Sequence, residues 1–232
     1  MLASEPARAA LEGVAAAATA AWLLAAPRGH GQPVLVLPGL FATDAYTAPL
    51  RAYLRTMGFD ARPWGAGRNL GHWEALETIV LPALELLHEE TGARVGLVGA
   101  SMGGLYAREA ARRVPHLVRS VVTLASAVTD PDHANHVWPA YERVTGQPAE
   151  SLASPVPPVP STSVYSRLDG LSDWRPCLQG ASDHTEDVQV LSSHLGLAWH
   201  PAVLYLVADR MAQPEDGWQP FVPPAQARYL YG

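Results

Sequence analysis

A serine stands in the run Gly99-Ala100-Ser101-Met102-Gly103-Gly104. The apolar stretch Val95-Gly96-Leu97-Val98 precedes it, and a helical pattern from Leu105 to Val114 follows. A G-x-S-x-G between a strand and a helix forces a sharp turn that lifts the serine hydroxyl above the sheet edge. The helix start then offers free N–H groups and a positive dipole end to a developing anion. A serine hydroxyl is hardly ionised at neutral pH, so it becomes a nucleophile only beside a base. The chain has nine histidines. Where a serine of this kind tops a sheet, the acid and then the base follow it along the chain. His194, in the glycine-containing loop after the run DVQVL, is preferred as base. His200 precedes Pro201 and reads better as a cap or packing residue. For the acid, VYSRLDGLSDW offers Asp169, in a D-G turn at a strand end, and Asp173 a turn farther on; Asp130 is a weaker third. Asp169 is the choice, since a carboxylate there can meet a histidine ring and hold its tautomer. Two backbone N–H groups must face the oxyanion. Met102 is assigned one, and Leu40 or Phe41 in Leu37-Pro38-Gly39-Leu40-Phe41 the other, with Phe41 slightly preferred. The plainer reading of Pro38-Gly39 is an ordinary loop.

These residues need a scaffold that alternates strands and helices. Strands are predicted at 33–37, 59–64, 94–98, 118–124, 162–166 and 187–191, and helices at 47–57, 74–90, 103–114 and 201–212. Runs such as Val-Gly-Leu-Val and Val-Val-Thr-Leu are continuously or nearly continuously apolar, as befits strands covered on both faces. The alternation predicts a doubly wound, mostly parallel six-stranded α/β sheet with helices on both faces, built from right-handed crossovers. Residues 1–232 are read as a single domain. An N-terminal helix is expected at about 4–26, packing through Leu11, Val14, Ala18, Trp22 and Ala25. A small lid insertion is expected at about 127–160, with a helix near 133–144, and the Pro-rich tail from Pro214 is expected to wrap the surface.

Composition narrows the partners. The chain has 232 residues, 48% of them hydrophobic and 16% charged, with a net charge of −6. All sixteen basic residues are Arg, and no basic run exists to track a phosphate backbone, so no nucleic-acid partner is expected. Without Lys, a Schiff base or a P-loop lysine is impossible. The single cysteine, Cys177, excludes an intrachain disulfide and a multi-cysteine metal site. The apolar stretch 13–26 is too short to span a membrane and lacks a cationic lead. A cytoplasmic protein is expected, with export through that segment as the alternative, and no stable membrane insertion. Asp130, Asp132, His133 and His136 could ligate a metal but read better as polar lid residues, so no metal and no cofactor are expected. Trp64 to Gly71 is read as a structural turn, with Arg68 bonded to nearby carbonyls, rather than a phosphate loop. Trp138, Tyr141 and Trp199 are candidates for the substrate pocket, though packing roles compete.

The segments VLVLPGLFATD, GASMGG, VYSRLDG and SSHLGLAWHP, in this order, resemble the α/β-hydrolase family of serine esterases and lipases, bacterial esterase/lipase-like members above all. The resemblance runs from about Gln32 to Arg210. It implies Ser101 as nucleophile, Asp169 as acid and His194 as base, and six strands standing for the inner six of the family's usual eight. Pro38-Gly39 departs from the His-Gly of many members, Leu124 to Ala127 lacks their Gly-Ser-Pro, and the lid insertion is short. The expected activity is hydrolysis of short- to medium-chain acyl esters through an acyl-enzyme, with a small-molecule ester as the only partner. The alternatives are an acyltransferase that passes the acyl group to an alcohol, and a non-catalytic binding module on the same fold. The oligomeric state is left open.

Overall fold

The computed structural model describes residues 2–129, 138–146 and 155–232. Its strands are β1 (Pro33–Leu37), β2 (Asp60–Pro63), β3 (Val95–Ala100), β4 (Val118–Leu124), β5 (Ser161–Tyr165) and β6 (Thr185–Gln189). They form one sheet in the order β2-β1-β3-β4-β5-β6, every neighbouring pair parallel. The helices are α1 (Glu5–Ala18), α2 (Ala20–Leu23), α3 (Asp44–Thr56), α4 (Leu81–Thr91), α5 (Met102–Arg113), α6 (Trp138–Thr145) and α7 (Pro201–Ala212).

Successive strand residues point to opposite faces, and the core divides accordingly. Val34 and Val36 of β1 join Val98, Leu50 and Leu54 of α3, and Leu206 and Val207 of α7 on one face. Leu35 and Leu37 join Leu97, Leu84 and Leu87 of α4, and Leu105 and Tyr106 of α5 on the other. Full burial of β1 and β3 explains why both read as unbroken apolar runs. The chain leaves β1 for β2 on one side, and β3 returns on the other. The crevice beyond the carboxyl ends of β1 and β3 is therefore the switch point where open α/β sheets place ligands.

Several elements differ from expectation for local reasons. The helix predicted at 47–57 begins at Asp44, because the Thr43 hydroxyl accepts the Ala45 N–H as a cap. The helix predicted at 74–90 opens with a π-helical turn, Leu76–Val80, before α4. The last strand lies at 185–189 rather than 187–191. Its polar start is buried through hydrogen bonds, since Glu186 accepts from Thr162 and Arg210. Val190 instead bridges Tyr231, whose hydroxyl donates to the Ala202 carbonyl, so the tail covers that edge. Of the insertion after β4, α6 is described, while Asp130, Asp132, His133 and His136 lie outside the described residues.

The N-terminal segment is helical in two pieces, α1 and α2, and its expected face turns inward at Trp22, which stacks on Tyr205, while the α1 part is reversed. Leu11 and Val14 are each 68% exposed, whereas Glu5 and Ala9 are buried. Hydrophobic spacing misleads because the inward face consists of small residues and carboxylates that satisfy loop amides. Among the described residues no helix is long and apolar enough to cross a membrane.

Candidate active site

Ser101 occupies the turn between β3 and α5 with φ 49° and ψ −119°. Its N–H donates to the Leu124 carbonyl at 2.7 Å, tying the turn to the end of β4. The loop after β1 lies alongside, and a Cβ placed on Gly39 would meet the Ser101 Cβ at 3.2 Å. Ser101, His194, Gly39, Leu40, Phe41, Ala42, Tyr46, Leu124, Leu171 and Leu195 line one cavity of about 320 Å³.

The loops after β5 and β6 bring Asp169 and His194 together. Asp169 Oδ1 accepts the N–H groups of Leu171 and Ser172, both at 2.8 Å, which aims Oδ2 at His194 Nδ1, 2.6 Å away. The Ser172 hydroxyl lies 3.3 Å from the same nitrogen. A carboxylate accepts, so this contact suits a proton on Nδ1 and leaves Nε2 turned away from Asp169. Asp169 and His194 are both largely buried, which strengthens their interaction. Among the described residues no hydrogen bond joins Ser101 to His194, a contact that commonly tightens only in the substrate complex.

The two oxyanion alternatives separate. The Phe41 N–H donates to the Asn69 carbonyl at 2.7 Å, so it is engaged. The amides of Leu40 and Met102 have no acceptor among the described residues. Asn69, fully buried, latches this loop: its Nδ2 donates to the Pro38 carbonyl at 2.8 Å and its N–H to the Ala42 carbonyl at 2.9 Å. Its Oδ1 accepts the Gly71 N–H.

Neither protein-family models nor curated protein sequences match this chain. Solved structures do. The chain is similar to a monoacylglycerol lipase of Paleococcus ferrophilus at 14% identity, covering 77% of this chain and 96% of that one, with a TM-score of 0.56. A Bacillus licheniformis lipase in its mature form superposes at a TM-score of 0.59 and 14% identity over 80% of this chain and 94% of its own. Lipase B of Aspergillus fumigatus gives a TM-score of 0.62 at 15% identity, over 82% of this chain and 55% of that chain. This chain has the α/β-hydrolase fold.

On that hydrolase fold the other sequence candidates fall elsewhere. Asp173 accepts the Arg175 N–H and pairs with its guanidinium near the surface. His200 caps α7, its Nδ1 accepting the Ala202 N–H at 3.2 Å. Tyr141 is buried in the core against Gly71 and does not line the cavity. Trp199 lies in an apolar groove with Ala9, Gly13 and Leu204, its indole donating to the Ala9 carbonyl, and is likewise away from the cavity. The backbone of Trp138 is in α6, and its side chain lies outside the described residues. Arg68 does donate to a carbonyl, that of Phe41, at 3.0 Å.

Asn69 and Tyr46 are the neighbours that sequence reasoning missed. Asn69 lay within a loop read as a structural turn, and no periodic signal marks it. Tyr46 lines the cavity, and its hydroxyl donates to the His194 carbonyl at 3.4 Å.

Two outcomes follow. Asn69→Ala leaves the Pro38 carbonyl and the Gly71 amide without partners, so stability measured by urea unfolding should fall by about 1–3 kcal/mol. Burial pushes the His200 imidazole down from its ordinary 6.5 to about 4. Between those values the unfolded chain binds a proton that the folded chain does not, so stability falls as pH drops from about 6.5 to 4, by up to on the order of 3 kcal/mol. Above that window the ring is neutral in both states. His200→Asn keeps a capping oxygen without the titration, and its melting temperature should vary less than wild type across this range.

Proposed function

We propose that this protein is a serine carboxylester hydrolase, acting through Ser101, His194 and Asp169. The observation that carries the reading is the 2.6 Å contact of His194 Nδ1 with Asp169, made on a ring that shares a cavity with Ser101. It leaves Nε2 to take the Ser101 proton as Oγ attacks the ester carbonyl. The free amides of Leu40 and Met102 receive the tetrahedral oxyanion. The imidazolium returns its proton to the departing alcohol, leaving an acyl-enzyme. His194 then deprotonates water, whose attack releases the acid and restores Ser101.

The cavity wall is apolar apart from Ser101, His194 and the Tyr46 hydroxyl, and about 320 Å³ is at the lower end of ligand pockets, which span about 300–1,000 Å³. Short- to medium-chain, uncharged acyl groups fit that space. Residues 1–232 are read as one domain carrying the whole reaction, on a small ester and without cofactor or metal.

The test is hydrolysis of p-nitrophenyl butyrate. Ser101→Ala should lower kcat by at least about 10³-fold, and Asp169→Asn by roughly 10²- to 10⁴-fold. Wild-type rates in Ser101→Ala would overturn the serine mechanism, and wild-type rates in Asp169→Asn would overturn the acid assignment. Free acid as the sole product in the presence of an added alcohol separates hydrolysis from acyl transfer.

A further inference from the structure

The buried carboxylate of Glu5 has an arrangement that holding a helix to a surface does not require. Its side chain is 1% exposed, and a carboxylate removed from water to that extent is costly unless its oxygens are fully bonded. Oε1 accepts the Gly170 N–H at 2.9 Å and the Arg8 guanidinium at 2.9 Å, and Oε2 accepts the Leu195 N–H at 3.1 Å. Gly170 directly follows Asp169, and Leu195 directly follows His194. One side chain therefore spans the residues after the candidate acid and the candidate base.

Two more side chains of α1 complete the bracket. Arg8 donates to the carbonyl of Leu168, the residue before Asp169, at 2.6 Å. Glu12 Oε1 accepts the N–H of Ser193, the residue before His194, at 2.7 Å. Its Oε2 accepts the hydroxyls of Ser192 and Ser193 at 2.9 and 3.1 Å. The backbone on both sides of Asp169, and on both sides of His194, is thus bonded to a helix more than 150 residues earlier in the chain. None of these α1 residues lines the substrate cavity.

We infer that Glu5 and Glu12 are positioning residues, and that α1 is a brace setting the geometry of the His194–Asp169 pair. The inference rests on the roles proposed above for Ser101, His194 and Asp169. Loops crossing from a sheet edge can wander by an ångström, and a misplacement of that size costs about 100-fold in rate. A shell of charge-assisted hydrogen bonds from a regular helix removes that freedom.

The experiment compares wild type, Ser101→Ala, Glu5→Gln, Glu12→Gln and the control Glu85→Gln, an exposed residue of α4. Glu5→Gln keeps the shape but turns one acceptor into a donor facing an N–H. Folded Glu5→Gln should lose about 10- to 100-fold in kcat on p-nitrophenyl butyrate, with KM changed less than threefold. The far-downfield proton resonance of the His194–Asp169 contact should shift or broaden with it. Glu12→Gln should do the same to a lesser degree, and Glu85→Gln should match wild type. A folded Glu5→Gln with wild-type kcat and an unmoved resonance overturns the brace. An inactive wild type, or an active Ser101→Ala, overturns the proposed function instead. Should Glu5→Gln fail to fold, Glu12→Gln carries the same comparison. The wild-type amides of Gly170, Ser193 and Leu195 must in any case be protected from hydrogen exchange; fast exchange at all three overturns the inference.

Discussion

The turn at Ser101 holds a residue with a side chain at φ 49° and ψ −119°, outside the regions that such residues ordinarily occupy. Conformations of this kind cost about 1–3 kcal/mol and persist only where the surroundings over-determine them. Here the surroundings are closely packed backbone and the Ser126 side chain. A Cβ on Gly99 would lie 2.3 Å from the Gly103 carbonyl oxygen, one on Gly103 2.5 Å from that of Leu37, and one on Gly104 2.0 Å from the Ser126 hydroxyl. The ends of β1, β3 and β4 and the first turn of α5 interlock at distances that exclude side chains. That close approach turns the Ser101 side chain toward the crevice and sets the β1 loop beside it.

The rest of the site is assembled around this fixed point by hydrogen bonds between distant segments. Asn69 holds the loop containing Leu40, and the Asp169 carboxylate is aimed by two amides of its own loop. The Ser166 hydroxyl joins the β5 and β6 loops by donating to the Ser192 carbonyl and accepting the Ser192 N–H. Each buried polar group here is satisfied by another that the site also needs in place, so order at one position supports order at the next. The apolar sheet supplies most of the folding free energy, while the polar shell selects the geometry above it.

Much of this was legible in the sequence, because it depends on local patterns. The five-residue run Pro33–Leu37 and the twelve-residue helix Pro201–Ala212 lie where periodicity and Pro placement put them. The Gly-rich turn around Ser101 marks itself by residue type alone, and the D-G turn marks Asp169. What was not legible depends on tertiary contacts. Glu5 meets partners 165 and 190 residues away, which no window of sequence reveals. The engagement of the Phe41 amide, which leaves Leu40 as the proposed donor, depends on the distant Asn69 carbonyl, and the inward face of α1 depends on loop amides that hydrophobic spacing does not register. Tyr141 and Trp199 had the right chemistry for a pocket, but Tyr141 lies in the core and Trp199 lines a separate groove against α1, a distinction that composition does not carry.

The proposed function turns on the activation of Ser101 as a nucleophile by His194. Its most direct measurement is reaction of the folded protein with a serine-reactive phosphonate, followed by peptide mass spectrometry to locate the adduct. The expected result is one adduct per chain, on Ser101, formed much more slowly when His194 is replaced by Ala. An unmodified protein, or an adduct on another residue at the same rate in His194→Ala, would contradict it.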